Sequence, residues 1–120
     1  MPPADPNPVY PANLTVAVGA NQSIAIGGDS STTVQRNVSS TVQANQVMTV
    51  AKDLTVTVCK NVVLQAGDSI NIVFDGASLT LKKDGTIVVK GKDITIDAGG
   101  KINARCSSDW VVKGSKILNN

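Results

Sequence analysis

Apolar residues recur at every eighth position along most of this chain, and this period limits the folds open to it. One series runs from Val18 to Phe74 and is apolar at eight successive octads. Two companion series lie two and four residues earlier in each octad, starting at Val16 and Leu14. A spacing of two places all three positions on one face of a short strand, whereas a helix face needs a spacing of three or four. Each octad is therefore predicted to be a short strand followed by a tight corner rich in Gly, Asn, Asp and Ser.

The apolar positions change phase at two places. After Phe74 the inward positions move from even to odd residue numbers, as at Leu79 and Val89, and the first phase returns after residues 90–93. We expect a nine-residue corner at Asp75-Gly76 and a seven-residue corner near residues 90–93. With these two corners the stack of octads continues to about residue 118.

The distribution of proline divides the chain in two. All five prolines lie at or before Pro11. Proline has no N–H to donate to a β ladder and favours an extended backbone. The sequence therefore predicts a proline-rich extended linker at residues 1–13 and a β-repeat domain at residues 14–120.

Composition excludes several functions. A net charge of +2 is too small to predict a nucleic-acid partner, and the absence of histidine removes His-based catalysis and His-ligated metal sites. Cys59 and Cys106 are predicted to lie on opposite faces, which predicts neither a disulfide nor a zinc site. No insertion between octads could hold the acidic clusters of polysaccharide-cleaving solenoid enzymes. We expect no enzymatic activity, no cofactor and no metal, and the N-terminus lacks the features of a signal peptide.

Two architectures fit an eight-residue β repeat with so few aromatic side chains. One chain could coil alone with three octads per turn, as in a β-solenoid adhesin or ligand-binding module. Alternatively, three chains could wind around one axis as an intertwined triangular β-helix. Ordering costs roughly 1–2 kcal/mol per residue, and burying one Val, Ile or Leu returns about 1.5–3 kcal/mol. Many octads have only two clearly apolar inward residues, and some mix in polar ones such as Thr32, so we favour the trimer, in which the apolar residues meet their symmetry copies.

The predicted trimer core consists of the inward apolar positions of the octads. They are Val16, Val18, Ile24, Ile26, Val34, Val42, Met48, Val50, Leu54, Val56, Val58, Val62, Leu64, Ile70, Ile72, Phe74, Leu79, Leu81, Ile87, Val89, Ile94, Ile96, Ile102 and Val112. Polar residues share the inward positions in the first half of the chain, namely Gln22, Ser30, Thr32, Ser40 and Gln46. Buried polar groups need partners, so we expect water or small ions on the trimer axis at that level.

The most specific sequence signal lies in the last third of the chain. The segments 79–87, 90–96, 100–104 and 112–117 resemble the C-terminal spike region of the VgrG (valine-glycine repeat) proteins of type VI secretion. The upstream octads resemble the same spikes and the related central spike of contractile phage tails. Two features depart from the family pattern: Trp110 stands where an aliphatic residue is usual, and the corner at residues 105–108 is atypical.

This resemblance implies a fold and a function. The fold is an all-β, intertwined homotrimeric triangular β-helix (β-prism) built from octapeptide repeats. The function is that of a needle that pierces a target membrane mechanically at the tip of a phage tail-like machine, assembled in the bacterial cytoplasm and secreted by the type VI system. Its C-terminal end would dock a PAAR-repeat tip protein or effectors. The residues expected at that docking end are Trp110, Val112, Ile117, Leu118, Asn119 and Asn120.

Overall fold

The computed structural model describes residues 9–120. Most of the predicted linker, residues 1–8, lies outside the described residues, and the boundary between residues 13 and 14 stays a prediction. The chain divides into two units, Met1–Asp53 and Leu54–Asn120. Neither unit contains a helix within the described residues, so the all-β prediction is confirmed.

The backbone of the first unit bends once in every octad. Each bend follows directly after an inward apolar residue, as Gly19 follows Val18, and six residues separate one bend from the next. Within residues 9–53 the bends lie at 11–12, 19–20, 27–28, 35–36, 43–44 and 51–52. Corners with an eight-residue period are therefore present where the sequence predicts them.

The second unit adds a sheet and keeps the eight-residue period except between the bends at 92–93 and 99–100, which are seven residues apart. Its bends lie at 59–60 and 67–68, and again at 92–93, 99–100, 107–108 and 115. Between these two sets the chain forms β1 (Ser69–Phe74), β2 (Ala77–Lys82) and β3 (Ile87–Lys90). The three strands pair antiparallel in the order β1-β2-β3.

Both turns of this sheet are tight. Phe74 pairs with Ala77, so only Asp75 and Gly76 connect β1 to β2, and Asp75 adopts a left-handed φ of 42°. Asp-Gly between alternating apolar runs is typical of two-residue hairpins, because Asp tolerates this conformation better than most residues. The expected nine-residue corner is therefore wrong, because the chain reverses direction at Asp75-Gly76 instead of continuing the stack.

The second turn is held by its own hydrogen bonds. The Lys82 N–H donates to the Thr86 carbonyl at 2.9 Å, and the Gly85 N–H donates to the Lys82 carbonyl at 3.0 Å. Gly85 has a φ of 91°, which side chains larger than hydrogen strongly disfavour. The Asp84 carboxylate accepts the Thr86 N–H at 3.0 Å. This arrangement matches the three-residue hairpin loop that ends in a left-handed glycine.

The register of the sheet explains the change of phase in the sequence. Ile72 lies opposite Leu79, and Leu79 lies opposite Val89, so an even-numbered residue of β1 shares a face with odd-numbered residues of β2 and β3. One face of the sheet is consequently apolar throughout, and we call it the apolar face. It is formed by Ile70, Ile72, Phe74, Ala77, Leu79, Leu81, Ile87 and Val89. The opposite face carries Asn71, Thr80, Lys82 and Lys90 among others.

None of residues 9–120 is buried. The chain exposes 13350 Å² of surface. A folded globular monomer of its 12.4 kDa mass would expose about 6,100 Å². Strand pairing in the described residues is confined to β1–β3. No helix able to cross a membrane occurs in this part of the chain.

Candidate assembly surfaces

The first candidate surface is the octad series that the sequence predicts to face inward. From Val18 to Val58 the exposure of this series stays between 45% at Val50 and 54% at Ile26, whereas Phe74 at its end is 81% exposed. The companion series that includes Val16 and Leu64 is more exposed, at 66% and 74% for these two residues. Exposure thus repeats with the same period as the sequence. Large apolar side chains that are exposed at such regular intervals mark an interaction surface.

The apolar face of the sheet is the second candidate surface. Phe74 is 81% exposed and Ile87 is 65% exposed, although both belong to paired strands. A shallow depression of about 260 Å³ lies over this face between Ile72, Leu79 and Val89. A sheet that is apolar on one face must cover it with another element. No other strand or helix of residues 9–120 does so.

The C-terminal residues form the third candidate surface. Trp110, Val112, Ile117 and Leu118 are between 59% and 80% exposed, and Asn119 and Asn120 are also exposed. A second depression of about 260 Å³ lies beside the Trp110 side chain. An end that offers several uncovered apolar side chains is suited to docking another protein.

The predicted core residues therefore lie at the positions that the sequence assigns to them, but none of them is buried in the single chain. Those of residues 70–89 lie together on the apolar face, while the others stand at their octad positions without a core around them. The inward polar residues, from Gln22 to Gln46, are also exposed in the single chain. Whether any of them meets at a threefold axis stays a prediction.

Charged groups make few contacts. A hydrogen bond from the Thr86 backbone N–H lowers the pKa of the Asp84 carboxyl. Lys83 Nζ lies 4.0 Å from Asp68 Oδ1, with both side chains largely exposed, so this ion pair adds little to stability. Residues 9–120 contain no group of His, Cys, Asp or Glu side chains able to hold a metal ion.

The two cysteines are both exposed free thiols. The Cys106 thiol donates a weak hydrogen bond to the Ser108 carbonyl at 3.4 Å, within the corner that departs from the family pattern. The thiol thus supports a local bend.

The octad period alone does not reveal the sheet as a candidate site. The signal was present in the dipeptides Asp75-Gly76 and Asp84-Gly85, each flanked by alternating apolar residues. A corner of unequal length and a two-residue hairpin turn predict the same change from even to odd positions, and the β1–β2 turn produces it here, since Ile72 lies opposite Leu79.

These features define an all-β protein of eight-residue repeats, interrupted by one antiparallel sheet and exposing its apolar residues. No protein-family profile matches the sequence. A stretch of 57 residues, 48% of the chain, is 47% identical to the type VI secretion system spike protein VgrG1b of Pseudomonas aeruginosa. The chain spans 8% of the length of that protein. The resemblance to VgrG proteins is confirmed, and this chain contains a VgrG-related region.

Proposed function

We propose that this chain forms the needle of a type VI secretion spike, as an intertwined homotrimeric triangular β-helix. The observation that carries the proposal is the octad period itself, which is present both in the sequence and in the backbone bends. The absence of any buried residue in 9–120 supports it, because the apolar side chains must be covered by further copies.

The role proposed for the needle is mechanical. Contraction of the secretion machine drives the trimer through a target membrane, and the residues contribute through packing and stiffness and not through catalysis. The spike is assembled in the cytoplasm and leaves the cell by the type VI system. The P. aeruginosa relative is a spike protein of that system, which supports this role.

The C-terminal end is the proposed platform for a PAAR-repeat tip protein or an effector. The exposed side chains from Trp110 to Leu118 support this assignment, since they offer apolar surface at the end of the repeats.

Water or small ions are proposed to occupy the trimer axis beside Gln22, Thr32 and Gln46. Buried amides and hydroxyls would otherwise lack hydrogen-bond partners. A crystal structure of the trimer with a dry axis over residues 22–46 would remove this part of the proposal.

The needle proposal is tested by deletions that respect or break the octad period. Removal of residues 37–44 from the spike protein deletes one whole octad, and all remaining corners keep their eight-residue spacing. Removal of residues 37–40 deletes half an octad and displaces every later corner by four residues. We expect the first variant to assemble and to be exported by the type VI system, and the second to lose both properties. Equal behaviour of the two variants would contradict an octad-based needle.

A further inference from the structure

Chains built from eight-residue repeats can align with their copies in several ways. A shift by one octad brings Val34 to the level of Val42, and the inward apolar position is restored. Strand register is well specified only where a shift changes which residues are buried. The octads therefore leave the mutual alignment of three chains weakly determined.

The antiparallel sheet is the part of the described chain that can distinguish one alignment of the copies from the others. β1, β2 and β3 pair within one chain, and the turn that joins β2 to β3 is closed by its own hydrogen bonds. Three strands with one apolar face meet the usual minimum for a sheet that forms by itself. No second stretch of residues 9–120 forms such a sheet, so copies that align through it align in one way.

The apolar face is continuous with the inward positions of the octads. Ile70, Ile72 and Phe74 on β1 are the last members of the three octad series. The register of the sheet adds the apolar residues of β2 and β3 to the same side, while Lys82 and Lys90 lie on the other side. Whatever covers the octad series therefore also covers the apolar face.

The size of the apolar face suits contact between copies. Burying an apolar side chain of this kind removes roughly 60–120 Å² from water. Its five most exposed large side chains thus offer about 400 Å² per copy, or about 400 Å² for each of three pairwise contacts, which is less than two proteins usually need to stay together. The face therefore adds to the contact that the octads make and does not hold three copies together alone.

We propose that the apolar face of β1–β3 binds the same face of two further copies of this chain, and that this contact sets the register in which the octads wind. The proposal rests on the trimeric needle proposed above. The sheet then fixes how the three chains align with one another, which the repeats leave weakly determined.

The test uses two neighbouring valines of β3 in the full chain. Val89 lies on the apolar face and Val88 lies on the opposite face. Val89→Lys would place three ammonium groups within the contact, whereas Val88→Lys places them on the opposite face, where the Val88 side chain is half-buried in the single chain. Each variant is made in a Cys106→Ser background and spin-labelled at Cys59. Mass in solution and the distribution of distances between the three labels are then measured.

We expect the parent and Val88→Lys to be trimers with one narrow distance between labels. Val89→Lys is expected to lower the trimer association constant by at least about tenfold, and the trimers that remain are expected to show several distances. Ile72→Lys and Val73→Lys repeat the comparison on β1, with the same contrast expected.

Three outcomes would overturn the proposal. In the first, Val89→Lys gives the mass and the single distance of the parent, and the needle proposal then stands without an aligning sheet. In the second, substitutions on the two faces are equally damaging, which shows that the contact does not depend on the apolar face. In the third, the parent is a monomer, which refutes the needle and the aligning sheet together.

Discussion

Truncation of one inward valine gives the most direct energetic test of the octad model. Val58→Ala removes two carbons at a position of the first octad series, and Val63→Ala makes the same change at a neighbouring outward position. In the single chain Val58 is 48% exposed and Val63 is 80% exposed. Only Val58 is expected to lose its remaining exposure when three chains assemble.

The magnitude follows from that exposure. Two buried carbons are worth about 1.6 kcal/mol, and assembly covers about half of the side chain, so each chain loses about 0.8 kcal/mol of association energy. Three chains together lose about 2.4 kcal/mol, which lowers the trimer association constant about 50-fold. Val63→Ala should change it by less than about threefold, because its side chain stays in water.

Sedimentation equilibrium over a dilution series measures the trimer association constants of Val58→Ala and Val63→Ala. If the two variants weaken the trimer equally, or if Val63→Ala weakens it more, then assembly does not bury Val58 in preference to Val63. Both substitutions alter the intrinsic β propensity alike, so their difference reports burial.

Three further predictions concern the tip and the turns. Deletion of residues 113–120 should abolish binding to a PAAR-repeat protein in a pull-down assay while the trimer mass is retained; loss of the trimer would contradict a docking role. Gly85→Ala should destabilise the β2–β3 turn by about 1–2 kcal/mol in thermal unfolding, because its φ is left-handed, whereas Gly76→Ala should cost less. The lowered pKa of Asp84 means that its contribution to the turn is present above the ordinary carboxyl pKa and is lost as pH falls through the lowered value. Protection of the Thr86 amide from hydrogen exchange should fall accordingly in acid, and Asp84→Asn should remove this pH dependence; an unchanged profile would disprove the assignment.

Much of the local structure could be predicted because it depends on short-range chemistry. Corners follow Val18, Ile26 and Val34 since polar and small residues recur there, and the side-chain alternation of a strand places the inward positions on one face. The all-β class follows from the same pattern.

The reversal at Asp75-Gly76 could not be deduced from periodicity alone. A change from even to odd inward positions fits either an enlarged corner or a hairpin, because both exchange the faces of the following residues. The left-handed φ at Asp75 decides between them, and Asp-Gly was the available signal.

The core is the least predictable part for a physical reason. Val50 and Phe74 are 45% and 81% exposed, and in the proposed needle their packing depends on other copies. A sequence pattern identifies which side of the strand is apolar, but the geometry of the contact belongs to the assembly.

Mass in dilute solution distinguishes the intertwined trimer from a solitary chain, because the apolar side chains of the trimer are covered by two further copies. Sedimentation velocity of the purified chain should give three times 12.4 kDa. A well-folded species at 12.4 kDa that does not associate would contradict the intertwined needle.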